Sequence, residues 1–407
     1  MNTEVLKQEL YEYISALKVV DCHEHIIDEK EAVESKVDFS ILVNQYNRCD
    51  FSSAGMKPAE LEEFYHPDTD LERKWNIFEK WYPYVEDTSY MKATKLVLQH
   101  DFGVEELTKD NYRQISAQLQ ARRQPGYYKK IFEDCGIRVV LNDDLIPYSQ
   151  RFPENTELLK RVVRAPDVPD GVQMVNEGFF YNGITCLADL RERVKWYIGT
   201  LKKLDNKGIK LMFGMPYESV DDIEAAAELQ RLLRSQTEQG STRLFWYTVD
   251  LVLDEAAKEG LPVSMHTGYW EDFRGYSPEG YIPLFFRHPD VRFDLFHLGY
   301  PYVKPSLMLA KNFANVRVDL CWTYIISQQF AYDSLCQIVD FLPRNKVHGF
   351  GGDFRHAERV YGHRMMMNET MSAALAAKVS DGTLSLEKAK LWAKAMLVDN
   401  PAEFYNV

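Results

Sequence analysis

The chain has 407 residues, 45% of them hydrophobic and 27% charged, a globular balance with enough apolar material for one large barrel or two ordinary domains. Its formal net charge of −13, with no Lys/Arg block to offset it, repels phosphate backbones and excludes nucleic acid as an expected partner. No apolar run approaches the roughly 18 residues that a bilayer span needs.

Residues 3–17 predict an amphipathic helix, with Leu6, Leu10, Tyr13, Ile14 and Leu17 on one stripe and Thr3 as its cap. This opening segment has no apolar core of the signal-peptide kind. The six cysteines are scattered with no C-x-x-C pair, so reduced thiols and a cytoplasmic location are expected. A short strand, Leu17 to Val20, runs into Asp21-Cys22-His23-Glu24-His25. Residues 28–132 show no recurring strand signal. Their aromatic-rich stretch, with Trp75, Phe78, Trp81 and Tyr82 early and Tyr112, Ile115 and Leu119 later, predicts a helical insertion after the first strand. No Pro/Gly/Ser linker marks either end of it, so residues 1–407 are expected to form a single domain.

From residue 135 strands and helices alternate. Apolar strand candidates are Ile137–Asn142, Arg161–Ala165, Ile209–Phe213, Pro262–Met265, Arg292–Phe296, Val316–Leu320 and Lys346–Phe350; Val172–Val175 competes for the third position. Helical stretches at Leu187–Leu204, Ser219–Leu233, Phe245–Glu259 and Ala331–Phe341 separate several of them, and 364–404 reads as two closing helices. With Val19–Val20 there are eight strands. Apolar strands alternating with amphipathic helices indicate parallel β with helical crossovers, and eight of them predict an α/β fold of the (β/α)₈ TIM-barrel type.

The histidines then fall into place. His23 and His25, one residue apart in extended chain, point to one side. Met265-His266-Thr-Gly268 and Phe296-His297-Leu-Gly299 each end an apolar strand in an imidazole followed by a glycine, and Val347-His-Gly-Phe-Gly-Gly-Asp353 ends one in a carboxylate. Strand C-terminal ends form the catalytic face of such a barrel. Any one of these side chains alone is equally well a hydrogen-bonded core group; five arriving at strand ends together are not. Imidazoles with a carboxylate suit one divalent metal ion, Zn²⁺ best, with Mn²⁺, Fe²⁺ or Co²⁺ as alternatives. Three His and one Asp leave room for a water whose pKa the cation would lower toward 7. Asp353 is placed to take that proton, and His297 to stabilise a developing oxyanion or position the water.

These motifs, with Asn315-Val-Arg-Val-Asp319, Glu358, Tyr361 and the helical segment around Glu86–Tyr90, resemble the amidohydrolase superfamily, in the amidohydrolase-related branch that has uronate isomerase-like members. The resemblance covers nearly the whole chain. It implies metal ligation by His23, His25, His266 and Asp353 and an assisting role for His297. Lys210 lies on the strand where binuclear members carry a carboxylated lysine, but several residues before the expected strand end, which favours one metal.

Aromatic and cationic residues follow the strand ends: Trp270 and Arg274, Tyr300, Trp322, and Arg355. Aromatic walls suit a sugar or ring face, and arginine suits a carboxylate, although Arg274 has Glu271 and Asp272 as neighbouring partners. His66, His100, His288, His348 and His363 have no strand-end context. The expected function is metal-dependent hydrolysis of a small carboxylate-bearing cyclic or sugar-derived substrate. Uronate-type isomerisation or decarboxylation at the same site is the alternative, and a ligand-binding barrel without turnover comes last. Relatives in the superfamily imply a homo-oligomer.

Overall fold

A computed structural model of the protein describes residues 2–143, 155–164, 181–234 and 241–407. Eight strands form one sheet in chain order: β1 (Val19–Glu24), β2 (Ile137–Asn142), β3 (Leu159–Arg164), β4 (Gly208–Leu211), β5 (Val263–Met265), β6 (Phe293–Leu295), β7 (Val316–Asp319) and β8 (Val347–His348). Every register from β2 to β8 is parallel. Parallel neighbours in sequence order require a crossover between each pair, and this is the (β/α)₈ arrangement. Strands in such a sheet are covered on both faces, so burial does not alternate along them; all six residues of β1 are buried, the charged ones included.

Several expected boundaries move. The third strand is Leu159–Arg164, and the competing Val172–Val175 lies outside the described residues. β6 stops at Leu295 because the chain turns at once through Phe296–Gly299, with His297 and Leu298 at φ 63° and 49°. β8 pairs over only two residues before the Gly-Phe-Gly-Gly run. The first helix, α1 (Thr3–Ala16), is capped by Asn2 rather than Thr3: the Asn2 Oδ1 accepts the Glu4 amide at 3.1 Å. Asn2 has the extended backbone that a cap requires, whereas Thr3 is already helical.

The chain divides into two compact units. The first comprises residues 1–138, 322–336 and 352–391. It holds α1, β1 and the helices between β1 and β2: α2 (Glu29–Glu34), α3 (Asn47–Ala54), α4 (Pro58–Tyr65), α5 (Leu71–Trp81), α6 (Ser89–Phe102), α7 (Tyr112–Arg122) and α8 (Tyr127–Asp134). These helices bury a core of their own around Phe39, Phe51, Phe64, Trp75 and Phe78. Lys74 is buried beside it and pairs with Asp38, its Nζ 2.7 Å from the carboxylate.

The second unit comprises residues 139–321, 337–351 and 392–407. It contains β3 to β8 and the crossovers α9 (Leu187–Lys203), α10 (Asp222–Arg234), α11 (Thr242–Glu259), α12 (Ile282–Arg287) and α13 (Val303–Asn312). Phe213 packs edge-on against Trp246 and Tyr281, with ring centroids 4.6 and 5.4 Å away. Among the described residues no helix is long and apolar enough to cross a membrane.

Candidate metal centre

In the first unit the end of β1 presents His23 and His25 on one side, as the two-residue period of extended chain dictates. Asp353, from the loop that follows β8, meets both. Its Oδ1 lies 3.1 Å from His25 Nε2 and 3.6 Å from His23 Nε2. One ligand atom from each of the three falls within 4.8 Å of the others. His23 and Asp353 are buried, and His25 is half-buried. A buried set of two imidazoles and a carboxylate, converging at that spacing, fits a divalent cation of the Zn, Mn, Fe or Co type.

The backbone around Asp353 is held from several sides. Its amide donates to the His23 carbonyl at 2.8 Å. Its carbonyl accepts from Gln45 Nε2 at 2.8 Å and Tyr46 Oη at 2.7 Å. The flanking amides of Gly352 and Phe354 donate to Asp21 Oδ1 (3.2 Å) and Glu24 Oε2 (2.6 Å). A Cβ on Gly352 would collide with Glu24 Oε1, so any larger residue there requires the buried Glu24 carboxyl to shift. Asp21 and Glu24 are fully buried. Burial pushes the Asp21 carboxyl up to about 7, and burial together with the nearby Asp21 charge raises Glu24 well above the usual carboxylate range.

In the second unit, His266 follows β5 and His297 follows β6. His297 Nε2 is 3.1 Å from His266 Nδ1, and His297 Nδ1 is 3.1 Å from the Cys321 carbonyl. The carbonyl can only accept, so Nδ1 of His297 carries a proton. In a neutral ring its Nε2 then accepts from His266 Nδ1–H, which leaves the His266 Nε2 lone pair unprotonated. That nitrogen is buried and has no hydrogen-bond partner among the described residues. Burial, then the neighbouring His297, Lys210 and Arg164, hold the His266 pKa well below the ordinary value. A neutral imidazole with a free Nε2 is the form that binds metal.

An amidohydrolase family model matches residues 192–407, just over half of the chain, and the match includes His266, His297 and Asp353. The protein belongs to the amidohydrolase family. No curated protein sequence matches the chain. Among solved structures, it is similar over its full length to a uronate isomerase from Thermotoga maritima (TM-score 0.79, 15% identity, 98% of this chain and 97% of that one). It is also similar to a glucuronate isomerase from Caulobacter crescentus (TM-score 0.76, 15% identity, 99% and 94%). A third neighbour is a protein provisionally described as a metal-dependent hydrolase from Lactobacillus casei (TM-score 0.67, 18% identity, 98% and 97%).

The remaining candidates of this amidohydrolase have varied surroundings. Arg274 is 82% exposed in its side chain and is already paired with Asp272 at 2.6 Å. Trp270 and Arg355 are exposed, and Tyr300 is half-buried. Trp322 is buried and stacks on Tyr46 with centroids 4.4 Å apart. Lys210 is buried, its ammonium 3.6 Å from the Phe296 ring centroid. Because β4 ends at Leu211, Lys210 is next to the strand end rather than several residues before it. Sequence reasoning passed over Asp21, Glu24, Gln45 and Tyr46. Two acids inside an apolar strand were a usable signal for the first pair; the second pair lies in the insertion, where nothing local marks it.

Proposed function

We propose that the protein is a divalent-metal-dependent enzyme acting on a small carboxylate-bearing, sugar-derived substrate, and that it carries out a uronate-type aldose–ketose isomerisation. The observation that carries the metal reading is the convergence of buried His23 and Asp353 with half-buried His25. His266 is the fourth ligand implied by the family resemblance, and its unprotonated Nε2 supports that role. One ion is proposed, with Zn²⁺ first. When bound it would withdraw electron density from a substrate oxygen. Asp353 would take the proton from C2 of the open-chain sugar and return it to C1, while the C2 hydroxyl proton passes to O1, leaving a C2 ketone and a C1 alcohol. His297 orients His266 and assists at the reacting oxygen. Trp270, Tyr300 and Trp322 offer aromatic faces to the sugar. Arg355 is the preferred partner of the substrate carboxylate, since Arg274 would first have to leave Asp272.

The choice of isomerisation rests on the full-length similarity to two structures named uronate or glucuronate isomerase. Hydrolysis through an activated water is the second reading, favoured by the family's description and by the Lactobacillus casei neighbour. A negative surface charge supports a small molecule rather than a nucleic acid as partner, and a cytoplasmic homo-oligomer is the proposed setting. The deciding experiment incubates metal-quantified protein with glucuronate and other hexuronates in H₂¹⁸O. Isomerisation yields a ketose whose carboxylate carries no solvent oxygen. Release of a new ¹⁸O-labelled carboxylate from an amide or lactone panel would replace it with hydrolysis. Protein that binds no metal and turns over nothing would end the enzyme reading.

A further inference from the structure

Asp353 and Gln45 share an unusual feature: both are non-glycine residues in the left-handed region, at φ 62° and 57°. They face each other across 308 residues of sequence. The Gln45 carboxamide uses both of its ends. Nε2 donates to the Asp353 carbonyl at 2.8 Å, and Oε1 accepts the Arg355 amide at 2.9 Å. The bridge therefore spans the two peptide units that follow the Asp353 Cα and fixes their orientation. Since the Asp353 amide is tied to the His23 carbonyl, the φ and ψ of Asp353 are both set by hydrogen bonds. Those two angles set the direction of the Cα–Cβ bond from which its carboxylate reaches toward the two imidazoles.

We propose that Gln45 is a positioning residue for the metal: its two-ended bridge holds Asp353 in the left-handed conformation that aims the carboxylate at His23 and His25. The inference rests on the metal reading above and goes beyond it by assigning a role to a residue of the helical segment after β1. A shorter or apolar side chain removes the acceptor of the Arg355 amide and one of the donors to the Asp353 carbonyl. The loop then samples other orientations, and the carboxylate spends less time in reach of both imidazoles.

Two variants separate positioning from mere turn structure. Gln45→Gly removes the bridge but relieves the left-handed backbone, so a purely structural role predicts unchanged or higher Tm and unchanged metal binding. Gln45→Met keeps the volume and removes both hydrogen bonds. The probes are Zn²⁺ affinity by chelator competition and the visible absorption of Co²⁺-loaded protein, which reports ligand geometry. Both variants are expected to bind Zn²⁺ roughly 10–100-fold more weakly and to shift the Co²⁺ bands, with Gln45→Gly keeping its Tm. Wild-type protein that binds Zn²⁺ while Gln45→Gly binds it equally well, with the same Co²⁺ spectrum, overturns this inference alone. Wild-type protein that binds neither ion removes the metal reading and this inference with it. If Gln45→Gly does not fold, the same two measurements on Gln45→Met decide the matter.

Discussion

Asp353 stands at the point where two demands meet. In the proposed metal site it would have to be buried, to limit competition from water, and ionised. The nearby imidazoles would reconcile these, since a cation held by His23 and His25 would compensate the carboxylate charge. Replacing it by the isosteric amide, Asp353→Asn, keeps shape and most hydrogen bonding while removing charge and proton capacity. Turnover is expected to fall by roughly 10²–10⁴-fold with little change in Tm. Unchanged kcat under saturating metal would show that the carboxylate moves no proton. Gly352→Ala tests the cradle: the added methyl meets Glu24 Oε1, so about 1–3 kcal/mol of stability is expected to be lost together with metal affinity, as read by thermal denaturation and Zn²⁺ titration. Wild-type behaviour there would mean that Glu24 can move aside. The proposed ligands stood out in the sequence because each is a polar residue at or just beyond the end of an apolar run. The groups that orient them did not. Gln45 and Tyr46 carry no such contrast, and their pairing with Asp353 depends on chain closure across 308 and 307 residues.

At the scale of elements, legibility followed burial. The strands could be read because a doubly covered parallel strand is mostly apolar, so Ile137–Asn142 is found where expected despite its exposed Arg138, while β4 and β8 end early where glycine, proline and loop hydrogen bonds compete with the ladder. Helix register in the segment after β1 was legible from its aromatic spacing, but its packing was not: which rings meet depends on tertiary geometry that no local period encodes. Phe39 shows the consequence. It sits in a short 3₁₀ turn, Phe39–Val43, and touches Phe64, Trp75, Phe78 and Tyr112 at centroid distances of 5.8–6.1 Å. Phe39→Ala should cost about 3–5 kcal/mol, seen as a lower urea midpoint. A loss below about 1 kcal/mol would mean that the surrounding helices collapse onto the cavity.

For the molecule as a whole, two buried histidines shape how stability varies with pH, in opposite senses. His363 lies fully buried on α14 (Val360–Ser380), and burial lowers its pKa to about 3. An unfolded chain takes up this proton below pH 6.5 and the folded one does not, so stability falls as pH drops from 6.5 toward 3, by about 1.4 kcal/mol per pH unit. His288 is the reverse. Burial alone would lower it, but Asp250 at 2.8 Å and Asp254 at 3.2 Å outweigh burial and raise it. Its contribution is complete below 6.5 and disappears as pH climbs through the raised folded value. Urea denaturation of metal-free protein across pH 4–9 therefore has a separate signature for each. His363→Gln should flatten the acid limb by about 1.4 kcal/mol per pH unit while leaving the alkaline limb alone. His288→Gln should lower stability by a constant amount below 6.5, leaving the slope of the acid limb unchanged, and converge toward wild type as pH rises. The assignment fails if either variant shifts both limbs in parallel, since a constant offset is what lost packing, rather than lost proton linkage, produces.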